Sequence, residues 1–191
     1  AYKPVASGCD LMEEGLCNQD VVMLQKNTSL HLAYEELVGY CFEPHIAPHI
    51  ASDECGVPIE FDVLSSGLSR LKETGADMIF IEGAGGWRLP IGHGHFLSDW
   101  VRHENLPVIL VVGAKLGCLN HAMLTCEAIE HDRLNLAGWC VNRIHPGMSY
   151  YKANLDTLKS LLPAPFLGEI PYLARPFESD LGQYLDLSAL V

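Results

Sequence analysis

Short apolar runs alternate with helix-length amphipathic stretches along this chain. Residues 77–82, 108–113 and 136–142 are apolar, rich in β-branched and aromatic side chains and bounded by turn residues, which predicts buried parallel strands. Residues 166–168 give a weaker strand signal, and residues 1–5 read as the end of another. Between them, residues 61–74 set Phe61, Leu64, Leu68 and Leu71 on one helical face and stop before Gly75. Residues 120–131 carry Met123, Leu124, Ala128 and Ile129 behind Asn120 as a candidate N-cap. Residues 150–162 form a third helix ending at Pro163, and residues 21–26 a short one entered from Asn18 or Asp20. Residues 43–58, with their prolines, read as a loop. Strand and helix in alternation predict an α/β fold: a parallel sheet, helices on both faces and right-handed crossovers. Ligands of such folds sit at the carboxyl ends of the strands.

Composition narrows the picture. At 191 residues and 49% hydrophobic side chains, the expectation is one domain spanning 1–191. A net charge of -12 argues against a non-specific nucleic-acid surface. No apolar run reaches the ~18–20 residues of a membrane span, and no secretory signal opens the chain. Seven cysteines, odd in number and dispersed, read as free thiols in a reducing, cytoplasmic setting. Cys41, His45 and His49 have ligand-like spacing, but Pro44 and Pro48 interrupt it and no fourth ligand is evident, so loop residues are the simpler reading. His93 and His95 are two ligands at most, and two do not hold zinc.

The candidate chemistry lies after the strands. Lys3, followed by Pro4-Val5-Ala6-Ser7-Gly8, can hold an anion at a sheet edge, or be a solvated lysine beside a turn. Glu82-Gly83-Ala84-Gly85-Gly86 places an acidic residue ahead of backbone amides that can approach a phosphate, which suits a Mg²⁺–phosphate site better than a bare turn. Gly113-Ala114-Lys115-Leu116-Gly117-Cys118-Leu119-Asn120 runs into a helix start, where a carboxylate or phosphate can bind. Asn142 can read a base edge, and Pro171 and Tyr172 can wall a purine pocket. The phosphate-loop pattern GxxxxGK[ST] does not occur, and none of the six lysines directly follows a glycine.

Taken together and in order, Tyr2 to Gly8, Glu82 to Gly86, Pro107 to Ala122, Leu136-Ala137-Gly138-Trp139 and Leu167 to Tyr172 resemble the ATP-dependent dethiobiotin synthetases. The resemblance covers essentially the whole chain. It implies a P-loop NTPase-like three-layer fold with a central parallel sheet, a homodimer, Mg²⁺ and ATP. The reaction it implies is closure of a ureido ring on 7,8-diaminopelargonic acid with CO₂, through a carbamate and a carbamic-phosphoric anhydride. By that resemblance Lys3 is catalytic, and Ser7, Leu116, Gly117, Cys118 and Asn120 bind substrate, the last four across the dimer. Asp20 and Glu82 bind the metal. ATP is bound by Asp20, Glu82, Gly83, Ala84, Gly85, Asn142, Ile170, Pro171, Tyr172 and Glu178. The family's phosphate loop precedes the Tyr2 to Gly8 segment. The resemblance thus implies a domain lacking its first strand, P-loop and helix, inactive and poorly stable alone. A dimeric small-molecule-binding module without a P-loop is the alternative. The related cobyrinate amidotransferases usually carry a glutaminase domain, for which this chain has no room.

Overall fold

The computed structural model describes residues 1–13 and 15–190. The chain divides into two compact units, residues 1–104 and 105–191. The first contains, in chain order, β1 (Lys3–Ser7), β2 (Asp10–Met12), β3 (Gly15–Cys17), α1 (Gln19–Asn27), β4 (Val38–Phe42), α2 (Pro48–Cys55), α3 (Phe61–Glu73), β5 (Pro90–Gly92), β6 (His95–Phe96) and α4 (Leu97–His103). The second contains β7 (Val108–Gly113), α5 (Cys118–His131), β8 (Leu136–Asn142), α6 (Tyr151–Leu161) and β9 (Phe166–Ile170).

In the first unit β1 pairs in parallel with β4, with Val5 opposite Tyr40 and Ser7 opposite Phe42. Residues β2 and β3 form an antiparallel hairpin, as do β5 and β6. The face of α3 predicted from periodicity packs as expected: Leu64, Leu68 and Leu71 are buried. Helix α1 starts behind Asn18, whose side chain accepts from the Asp20 N–H.

Two expectations for this unit need correction, and one strand was not foreseen. Residues 77–82 do not build a strand ladder. Their contact with β1 is a single parallel bridge, Tyr2 opposite Ile81, and Met78 and Phe80 are exposed. An apolar run becomes a strand only where a row of partners meets it, and here Tyr2 alone does. The 43–58 stretch is not all loop. Pro48 opens α2 at a position where its missing N–H costs nothing, and Gly56, left-handed at φ 64°, closes it. Strand β4 has the aromatic and β-branched composition of a strand but went unread beside that loop.

In the second unit β7, β8 and β9 form a parallel sheet in that order. Its core joins Val112, Ala114, Cys118, Ala122, Cys126, Trp139, Val141, Leu155, Leu158 and Leu162. Trp139 is 1% exposed, its ring lies 4.6 Å from that of Phe166, and its indole N–H donates to the Ala164 carbonyl at 3.1 Å. Helix α5 starts two residues earlier than expected: Gly117, left-handed at φ 92°, is the N-cap and Asn120 lies inside the helix. Among the described residues no helix is long and apolar enough to cross a membrane.

Burial has a measurable consequence at high pH. It pushes the Cys9 thiol up to about 12 from 9.0 and the Tyr2 phenol up to about 12 from 10.0. The folded chain keeps these protons after the unfolded chain has released them, so folding stability falls as pH rises above about 9. Urea midpoints at pH 8 and pH 10.5 are expected to show the decline; equal midpoints would contradict it.

Candidate active site

The centre of the first unit's site is Lys3. It sits on β1 between buried neighbours and is itself 3% exposed. A lysine this deep is tolerable only if its ammonium is fully partnered. It is: Nζ donates to Asp20 Oδ2 at 2.8 Å, to Glu82 Oε1 at 2.9 Å and to the Gly83 carbonyl at 3.0 Å. An ammonium has three N–H donors, so all are used. The side chains of Asp20 and Glu82 are about half exposed, 54% and 49%, so each carboxylate keeps oxygen lone pairs open to solvent.

Local structure delivers each partner. Asp20 lies in the first turn of α1, where a negative charge is favourable, and the Asn18 cap fixes that turn. Asn18 is itself pinned. Its N–H donates to Tyr34 Oη at 2.7 Å and its Nδ2 to the Ser7 carbonyl at 3.4 Å, so one buried amide touches both the end of β1 and the start of α1. Glu82 is registered by its N–H, which donates to the Tyr2 carbonyl at 2.9 Å. In the loop that follows, Gly85 is left-handed at φ 67° and Ala84 is half-buried. Ser7 is half-buried at the carboxyl end of β1. Asn18, Tyr34 and Tyr2 were missed as site-building residues. The Asn18-Gln19-Asp20 spelling, an N-cap followed by an acid in the first turn, was the available signal for the first of them.

The histidines take up other positions. His45 sits against Gly8, where an added Cβ would come within 2.5 Å of its Nδ1, and His49 Nδ1 is buried without a hydrogen-bond partner among the described residues. His95 tilts against Phe61, ring centroids 5.3 Å apart. All seven cysteines are free.

In the second unit the sheet ends in line: Gly113, Asn142 and Ile170 are register partners across β7, β8 and β9. The Ala114 N–H donates to the Asn142 carbonyl at 2.8 Å, and the Arg143 N–H to that of Ile170 at 2.9 Å. Asn142, Ile170 and Pro171 are half-buried and Tyr172 is 45% exposed, so these residues do share one sheet edge. Leu116 is almost fully exposed at 96%, and Asn120 is exposed on α5. Cys118 differs from its loop neighbours: its thiol is in the core and its N–H donates to the Lys115 carbonyl, so both groups are already engaged. Glu178 is exposed and pairs with Arg175 at 3.1 Å.

A divalent cation fits the first unit's donor set. Asp20 and Glu82 offer hard carboxylate oxygens beside one another on Lys3. Among the described residues no group of three or more His, Cys, Asp or Glu is assembled for a metal. Two carboxylates with the remaining positions left to phosphate oxygens and water is the way Mg²⁺ is usually held.

The family model described as an AAA domain matches residues 1–176, which places the chain among α/β nucleotide-dependent enzymes of the P-loop NTPase type. The chain is 65% identical over 192 residues to the ATP-dependent dethiobiotin synthetase BioD of Tolumonas auensis, covering 100% of this chain and 85% of that one. It is 54% identical to the protein of that name from Aeromonas hydrophila (100% and 84% covered) and 50% identical to that from Pseudescherichia vulneris (99% and 79% covered). The chain belongs to the dethiobiotin synthetase family, a family of ligases. A chain of the MinC:MinD cell division protein complex of Aquifex aeolicus aligns with 93% of this chain and 72% of its own, at 17% identity and a TM-score of 0.46. The matches to the synthetases run the length of this chain and lend no support to the expectation that it has lost a P-loop segment.

Proposed function

We propose that this chain carries out ATP-dependent closure of a ureido ring on 7,8-diaminopelargonic acid with CO₂, yielding dethiobiotin, ADP and phosphate. The observation that carries the reading is Lys3, buried on β1 and held between two half-exposed carboxylates and a glycine-loop carbonyl. In the reaction one amine adds to CO₂, losing a proton, to give a carbamate. A carbamate oxygen displaces ADP from the γ-phosphorus and forms a mixed anhydride. The second amine attacks the anhydride carbon, the C–O bond to phosphate breaks, and the ring closes with loss of a proton.

Each step gathers negative charge on oxygens, and a preorganised ammonium stabilises such charge far better in a water-poor site than in solution. Lys3 supplies it, turning N–H donors from Asp20 and Glu82 toward the incoming carbamate and phosphoryl oxygens. Asp20 and Glu82 would hold Mg²⁺, which neutralises phosphate charge when bound. Ser7 lines the diamine, and Gly83, Ala84 and Gly85 wrap the reacting groups with backbone donors. In the second unit we assign Asn142, Ile170, Pro171 and Tyr172 to the purine, with Glu178 closing on it. Leu116, Gly117, Cys118 and Asn120 go to the substrate's carboxylate end across a homodimer, Cys118 by holding the helix start in place, since its thiol and N–H are both engaged. We read residues 1–191 as one catalytic domain working in the cytoplasm, a setting that suits its free thiols.

No GxxxxGK[ST] loop occurs in these 191 residues, so the test has two arms. The chain alone, and the chain fused behind a strand–GxxxxGK[ST]–helix unit, are each given Mg-ATP, carbon-13 bicarbonate and the diamine. Mass spectrometry is expected to find labelled ureido product, one per ADP, in the fused arm and little from the chain alone. Diamine-independent ADP release without labelled product in either arm would overturn the reading.

A further inference from the structure

We propose that Tyr2 is the positioning residue that sets Lys3 against Glu82, through a slot that Gly39 and Gly67 leave open for its hydroxyl. The inference rests on the catalytic reading of Lys3 above. Tyr2 is fully buried. Its main chain ties two site residues together: Lys3 is the next residue on β1, and the Tyr2 carbonyl accepts the Glu82 N–H at 2.9 Å while the Tyr2 N–H donates to the Phe80 carbonyl at 2.8 Å. Among the described residues these two are the only backbone hydrogen bonds that join residues 2–7 to residues 77–82. Whatever fixes Tyr2 therefore fixes the distance from the ammonium to one of its two carboxylates.

The side chain does the fixing. Tyr2 Oη donates to the Leu64 carbonyl of α3 at 3.1 Å, and the ring meets Trp100 edge-on, centroids 6.4 Å apart. The hydroxyl lies between two glycines whose backbones are ordinary, so neither is there for a left-handed turn. A Cβ on Gly39 of β4 would overlap the Pro4 carbonyl and stand 2.8 Å from Tyr2 Oη, and a Cβ on Gly67 of α3 would overlap Oη and stand 2.8 Å from Cζ. Gly67 lies mid-helix, where glycine is disfavoured and alanine would ordinarily be the better residue. Here close approach of the phenol is what glycine allows.

The test follows Lys3 directly. In protein labelled with nitrogen-15 lysine, the Lys3 Nζ resonance is the one lost in Lys3→Gln, and its shift and hydrogen exchange report the bonds to Asp20 and Glu82. Gly67→Ala is expected to move this resonance and speed its exchange roughly tenfold. In the fused polypeptide that turns over, the same variant should lower kcat roughly 10–100-fold with little change in the KM for ATP. Tyr2→Phe, which keeps the ring, should show a smaller change in the same direction, and Tyr2→Phe/Gly67→Ala should recover part of the signal because the overlapping oxygen is gone. A folded Gly67→Ala protein with an unmoved Lys3 resonance, or a double variant with no recovery, overturns the inference. If Gly67→Ala does not fold, Tyr2→Phe decides: an unmoved resonance in it overturns the inference. The resonance needs no substrate, so it answers for Tyr2 even if the ring-closure reading fails. Loss of turnover with an unmoved resonance removes the role of Tyr2 and leaves that reading standing.

Discussion

Lys3→Gln in the polypeptide that turns over is expected to cut kcat roughly 10³-fold while the protein still folds. Glutamine is one bond shorter and uncharged, and the β1–β4 pairing is made by the backbone, so it has no reason to change. What is lost is the full positive charge. The side chains of Asp20 and Glu82 are about half exposed, so water can cover the oxygens that Lys3 releases. That is why activity and stability should separate in this variant. Steady-state kinetics beside a urea melt would show it. A kcat within tenfold of the parent would remove Lys3 from the chemistry, and a collapse in stability would make its role structural.

Trp139→Ala carries the largest expected stability change, a loss of about 3–5 kcal/mol. The ring is 1% exposed in the core of the second unit, stacks at a tilt on Phe166, and gives its N–H to the Ala164 carbonyl. Truncation leaves a cavity and also an unpaired carbonyl. Trp139→Phe keeps most of the volume and loses the hydrogen bond, so its cost should be nearer 1 kcal/mol above any packing defect. Chemical denaturation of the two variants measures both figures. A loss below about 1 kcal/mol for Trp139→Ala would mean that this core readily collapses around the gap.

The parts of the molecule legible in the sequence are those set by short-range pattern. Strands β7 and β8, helices α3 and α6 and the apolar face of α3 follow from periodicity and from Gly and Pro at their ends. Glu82 was legible because it ends an apolar run ahead of glycines, where ligands of α/β folds collect; Lys3 was read as leaving a strand, whereas it is the first residue of β1. Partners distant in sequence were not legible. Residues 77–82 have the composition of a strand, yet among the described residues only Tyr2, some 80 residues away, pairs with them through its backbone. Asn18 acts on Ser7 and Asp20 through the two ends of its side-chain amide, Nδ2 donating to the one and Oδ1 accepting from the other, a role that no residue type announces. Tyr2 looks like any core aromatic until Gly39 and Gly67 are seen to stand aside for its hydroxyl.

The Lys3 cluster joins one cation to two anions, so it carries a net charge of minus one before anything arrives. A bare nucleotide polyphosphate would meet repulsion at this spot, whereas a divalent cation would meet attraction. On the proposed reading, a cation held by Asp20 and Glu82 would draw those carboxylates off Lys3 and leave its N–H donors for a substrate oxygen, so the two anions would keep the lysine occupied until a cation replaced it.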